Sequence, residues 1–162
     1  MFEAKEEDFA AEEIPGLLLL EGLAELNIEL NMIPMLWPDM VASCASPETG
    51  PDIINIYTLP AYFDADAALY NQYDSQQWGS FNSCGFYKNE QVDQLLDEAR
   101  VEPDMNKRLE LYAEIQRLIV ADQPAVWMYT EGQLLGFDDH VKGYVPSPMY
   151  PITVLFQDLW LE

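Results

Sequence analysis

The chain has 162 residues, 49% of them hydrophobic and 12% aromatic, which suits one domain with a core and disfavours disorder over most of its length. Its 29 acidic and 7 basic residues give a formal charge of −22. That charge repels phosphate backbones and anionic membrane surfaces and attracts cationic ligands at long range, although solubility alone also accounts for it.

Met1 to Glu13 reads as an acidic tail or a short amphipathic helix. Glu3, Glu6, Glu7 and Asp8 stand where an export signal would begin basic, so no signal peptide is read here. Ile14-Pro15-Gly16 is expected to break the chain. Leu17 to Leu26 then has helical character and runs into a tight turn at Asn27. Its run of four leucines is far too short to span a membrane. Ile28 to Met35 alternates apolar with polar residues, the period of a strand.

A short helix is expected over Trp37 to Ser43, with Pro38 tolerated in its first turn, and a loop over Ser46 to Pro51. Asp52 to Tyr57 is an apolar run of the buried-strand kind, broken at Leu59-Pro60. Asp64 caps a helix reaching Tyr73, and Asp74 to Lys88 is a long aromatic loop. Asn89 caps a helix through Arg100, with Val92, Leu95, Leu96 and Ala99 on its apolar face. Asp104 caps another reaching Ala121, with Leu111, Ile115, Leu118 and Ile119 on one face and Pro124 beyond its end. Ala125 to Phe137 reads as strands around Glu131-Gly132, and Val141 to Glu162 is rich in proline and aromatics. Helices and strands alternate, so the expected class is α/β, a small mixed sheet with packed helices.

Cys44 and Cys84 form no Cys-x-x-Cys pair, and His140 is the sole histidine, which argues against a Cys/His zinc site. A Cys44–Cys84 disulfide and two partly buried thiols are both compatible with the sequence. His140 falls in a surface turn, Asp138-Asp139-His140, and reads as solvated. No Gly-x-Ser-x-Gly elbow or phosphate-binding glycine loop is present, so neither a catalytic residue, a metal nor a cofactor is assigned, and no enzyme is expected.

Several segments together carry a resemblance. They are Trp78 to Asp93, Lys107 to Gln116, Ala121 to Ala125, Tyr62-Phe63-Asp64-Ala65-Asp66, Val141 to Pro148 and the ending Asp158 to Glu162. In this order they resemble the carboxy-terminal portion of the family 5 extracellular solute-binding proteins, the peptide/nickel-type substrate-binding components of ABC importers. The likeness covers roughly Leu17 to Glu162.

It implies part of the second lobe of a periplasmic-binding-protein type II-like fold. Residues 1–13 would be an acidic tail, 14–140 the partial lobe, and 141–162 a tail that in the family returns to the first lobe. It also implies a periplasmic or extracellular location, an ABC permease as partner and a peptide or similar small solute as ligand.

The implied ligand-binding segment is Tyr57, Thr58, Leu59, Ala61 and Tyr62, which in peptide-binding members offers main-chain groups to an extended peptide. Several members carry an aspartate where this chain has Ala61. Trp78 and Phe86, in a loop with Phe81 and Tyr87, suit stacking on sugars or apolar side chains. Asp64 and Asp66 could serve a cationic ligand. The plainer alternatives are that Tyr57 and Tyr62 pack at a strand end, that the loop packs over the helices, and that Asp64 is only a cap.

Two functions from different classes follow. One is a partial substrate-binding component that binds free peptides weakly, because half a cleft excludes little water. The other is a self-associating structural domain. Val145, Tyr150, Ile152, Val154, Leu155, Phe156, Leu159 and Trp160 would leave much apolar surface in a tail unless a second copy covered it.

Overall fold

The computed structural model describes residues 6–130, 135–146, 154 and 156–162. Five α-helices, three single-turn 3-10 helices and one small ribbon are defined among them. The helices are α1 (Glu6–Glu25), α2 (Trp37–Ser43), α3 (Ala65–Tyr73), α4 (Glu90–Val101) and α5 (Met105–Asp122). Strands β1 (Val141–Lys142) and β2 (Trp160–Leu161) pair antiparallel, with Val141 opposite Leu161.

The core lies among α3, α4 and α5. Tyr73, Val92, Leu96, Ala99, Tyr112, Ile115 and Ile119 are buried together, and Leu69, Leu95, Leu111 and Leu118 pack at the margin. Each of these three helices starts on a side chain that accepts backbone N–H groups left without an intrahelical partner. Asp64 accepts from Asp66, Asn89 from Gln91 and Val92, and Asp104 from Asn106 and Lys107.

Hydrogen bonds at both ends fix α4 and α5 as an antiparallel pair. Near one end the Arg108 Nε donates to the Ala99 carbonyl at 2.9 Å. At the other, Asn89 Nδ2 donates to Asp122 at 2.7 Å. The two helices therefore pack antiparallel, and Tyr112, at helical spacing from Ile115 and Ile119, joins the buried face.

The chain does not break at Pro15. α1 runs through it, beyond the expected boundary between residues 13 and 14. Proline lacks the amide for one helical bond and crowds the preceding turn, yet alanines before it and leucines after it favour helix on both sides. The helix ends as the sequence suggests. Asn27 adopts the left-handed conformation, φ 58°, and the Ile28 amide donates back to the Leu23 carbonyl at 3.0 Å. This is a Schellman closure with asparagine in glycine's usual place.

The strands expected at 28–35, 52–57 and 125–130 are not found as strands. None of these segments joins a ladder, and the β1–β2 ribbon is the sole sheet among the described residues, antiparallel rather than mixed. A helix satisfies its backbone within itself, whereas a strand needs a neighbour in register. Glu131 and Gly132, expected between strands, and Tyr150, Ile152 and Leu155 of the tail lie outside the described residues.

Cys44 and Cys84 are joined in a disulfide with Cα atoms 4.8 Å apart, which decides between the two readings of these residues. At the far end, Gly143 has φ 86°, and a Cβ on it would collide with the Trp160 ring and the Asp158 carbonyl. Glycine is therefore required where the ribbon crosses over itself.

Candidate functional site

The residues 57–62 leave the α2 region and arrive at the N-terminus of α3. Tyr57, Thr58, Leu59, Ala61 and Tyr62 are all exposed. Tyr57 meets Tyr129 edge-on, with ring centroids 6.1 Å apart and the two hydroxyls hydrogen-bonded. This contact sets the 52–59 segment beside the 125–130 segment. Trp127, two residues before Tyr129, donates its indole N–H to the Tyr73 hydroxyl at 3.0 Å, which ties the second segment to α3.

Tyr62 is fastened from below. Its hydroxyl donates to Asp66, a buried carboxylate in the first turn of α3. That hydrogen bond, with smaller effects from burial and nearby charge, pushes the Tyr62 phenol up to about 12. The Arg100 Nε lies 3.1 Å from the other Asp66 oxygen, an ion pair without aligned hydrogen-bond geometry, and its guanidinium stacks over the Tyr70 ring at 3.8 Å.

Beside this pair, Arg108 makes a two-pronged bond to Asp64, 2.7 Å on each side, and a third to the Tyr112 hydroxyl at 3.0 Å. The Arg108 hydrogen bonds hold the Asp64 carboxyl below the usual carboxylate range. Asp64 is thus both the α3 cap and a paired anion, which leaves it no role toward a cationic ligand.

Trp78 and Phe86 stand in the aromatic loop between α3 and α4. Their rings meet edge-on at 5.9 Å, and the Trp78 indole donates to the Tyr87 carbonyl at 2.9 Å. Phe86 has φ 47° and presses its ring on Gly50. Phe81 meets Trp37 at 5.1 Å, and Tyr87 meets the core residue Tyr73 at 5.9 Å. The aromatic loop therefore packs chiefly on its own rings, on residues 37–50 and on Tyr73.

The expected site residues thus fall into local groups: Trp78 with Phe86, Tyr57 with Tyr129, and Tyr62 with Asp66. Tyr129, Trp127 and Arg100 belong to these arrangements and are not among the site candidates of the sequence reading, which named Asp66 only beside Asp64 for a cationic ligand. Trp127 and Tyr129 were readable as aromatics on alternate positions of an apolar run, but their partners lie far away along the chain.

A shallow cavity of about 260 Å³ opens between α3 and α5, lined by Leu69, Tyr73, Gln116, Ile119, Val120 and Trp127. No cluster of His, Cys, Asp and Glu able to hold a metal is present among the described residues, and no described helix is long and apolar enough to cross a membrane. His140 is exposed, as expected, with Nδ1 3.0 Å from the Glu162 carbonyl.

Comparison with known proteins gives one likeness of interest, to a solute-binding protein of the periplasm. It is the "Probable D,D-dipeptide-binding periplasmic protein DdpA" of Escherichia coli strain K12, with which the chain is 30% identical over 87 residues. The match takes in 52% of this chain and 17% of that protein, so the chain corresponds to a minor part of its relative's length. No family model and no solved structure matches.

Proposed function

We propose that the chain is part of the substrate-binding component of an ABC importer for peptides or similar small solutes, of the family 5 kind. It would carry a portion of the second lobe, act at the periplasmic or extracellular face, and deliver ligand to a membrane permease without catalysing a reaction. The observation that carries this reading is the 30% identity over 87 residues to a periplasmic D,D-dipeptide-binding protein. Support comes from the exposed residues 57–62, anchored at one end through Tyr62 to Asp66 and laid against Tyr129 at the other. A solvent-facing main chain between fixed ends offers its groups to a peptide by strand addition.

A dipeptide such as D-alanyl-D-alanine, titrated to millimolar concentration and followed by NMR, tests it. Shifts are expected at the amides of 57–62 and at the Trp78 indole, with affinity weaker than micromolar because the opposing wall of a cleft is not among the described residues. Shifts confined to the acidic faces of α4 and α5, or none at all, would count against the reading.

A second reading is favoured by the exposed apolar residues. Leu17 to Leu20, Val145, Phe156, Trp160 and Leu161 all face solvent. Each such side chain forgoes roughly 1.5–3 kcal/mol of burial. A homo-oligomer with the tail or α1 crossing between copies would cover them. With a charge of −22 per chain, association should weaken at low salt, where screening is least. Light scattering that reports a monomer at every salt concentration would remove this reading.

A further inference from the structure

We infer that residues 36–50 are a clip held on the aromatic loop 78–86 by the Cys44–Cys84 disulfide, and that without this bond the clip comes free while α3, α4 and α5 stay folded. This goes beyond the transport reading and does not depend on it.

The first observation is where the hydrogen bonds of this segment go. Asp39 and Met40 donate to the Leu36 carbonyl, Cys44 to Met40, and Gly50 to Ser46. The side chains do the same: Ser43 Oγ donates to Met40 at 2.7 Å and Thr49 Oγ1 to the Ser43 carbonyl at 2.9 Å. Among the described hydrogen bonds, every one made by residues 36–50 stays within the segment. It is a closed unit that folds on itself.

The second observation is burial. No residue of α2 is buried. Cys44, directly after it, has no exposed surface, and Cys84 opposite has 3%. The one well-enclosed side chain of the clip is the one that carries the covalent bond. Other contacts are the Trp37 edge on Phe81, the Phe86 ring on Gly50 and the close approach of the Ala45 carbonyl to Gly79, and all three fall on the same loop.

The third observation concerns the flanks. Residues 28–36 and 51–63, which lead in and out, join no sheet. They place no register on the clip. The helices, by contrast, are locked to each other by Asp64–Arg108 and Asn89–Asp122, neither of which touches the clip. The bond between residues 44 and 84 therefore bears on the position of the clip and little on the helices. In closing the clip it gives the Trp78–Phe86 pair its outer wall.

Amide hydrogen exchange read by mass spectrometry tests this on the full chain and on a Cys44→Ser/Cys84→Ser variant. Amides of 37–50 should exchange at least about tenfold faster in the variant, and those of 90–122 at an unchanged rate. Equal clip protection in both proteins would overturn the inference, as would loss of protection across 90–122, which would make the bond a support of the whole fold. A Trp37→Ala variant with the disulfide intact separates the bond from ring packing. It should keep its clip protection, and losing it would also overturn the inference.

Discussion

The helices α3 to α5 and the irregular segments 28–36, 52–63 and 125–130 are both rich in apolar residues, yet only the helices seal any of them from water. On the helices Val92, Leu96, Ile115 and Ile119 are sealed from water. On the irregular segments Ile33, Leu59, Val126 and Met128 are open to it, Val126 at 85%. The difference is one of backbone rather than of side-chain chemistry. A helix pays its hydrogen-bond debts internally and needs a neighbour only for its apolar stripe, and three short helices are neighbours enough. An extended segment needs a neighbour for its backbone before it can bury anything. Apolar sequence is thus a promise of burial that the helices redeem within the chain and the other segments do not.

Substitutions can break this contrast at its strongest point first. Leu96→Ala removes a fully buried side chain between α4 and α5 and should lower unfolding free energy by about 2–5 kcal/mol in urea titration. A change well below that would mean that the three helices are not the stable part. Asp64→Ala removes the α3 cap and both prongs of the Arg108 bond, and about 2–3 kcal/mol should be lost in the same titration.

Asp74 sharpens the contrast through pH. It is fully buried, one oxygen accepting from the Gln76 amide at 2.8 Å and the other without a partner, and burial raises its carboxyl above the usual range. The folded state then binds the proton more tightly than the unfolded state does. A penalty for the buried charge is present at neutral pH and fades as pH falls through the folded value toward about 3.9, the unfolded carboxylate value. Asp74→Asn keeps the cap oxygen and should stabilise at pH 7 by about 1 kcal/mol, with the gain disappearing in acid. An equal gain at both pH values would show that charge is not the cause. At the other extreme, Val126→Ser should move stability by less than about 0.5 kcal/mol in the isolated chain. A larger loss would reveal a partner for that segment.

The sequence disclosed the parts of the fold that are decided locally. Asp64, Asn89 and Asp104 cap helices because a short acceptor side chain reaches amides two or three residues ahead, and this is written in neighbouring letters. Asn27 ends α1 for a similar reason. The strand readings failed at 28–35, where residues alternate, and at 52–57, an apolar run, because either pattern specifies burial and not a pairing partner. Pro15 misled because its penalty is only one contribution along a helix of 20 residues. For the candidate site, the pairings Asp66–Arg100 and Tyr57–Tyr129 were not legible. Their members are brought together only after α3 to α5 assemble.

Asp122 stands at the last position of α5, where the helix dipole disfavours a negative charge. It is accommodated because the Tyr87 hydroxyl, at 2.6 Å, and the Asn89 amide both donate to it, and their hydrogen bonds draw its carboxyl below the usual range. Asn89 is also the residue that starts α4. One side chain thus caps the first turn of one helix with its oxygen and holds the final turn of the next with its nitrogen. Fraying at either place removes the support of the other, so the two ends of the hairpin should open as a single event. The pair then behaves as a closed ring rather than as two rods, with its seam at an asparagine.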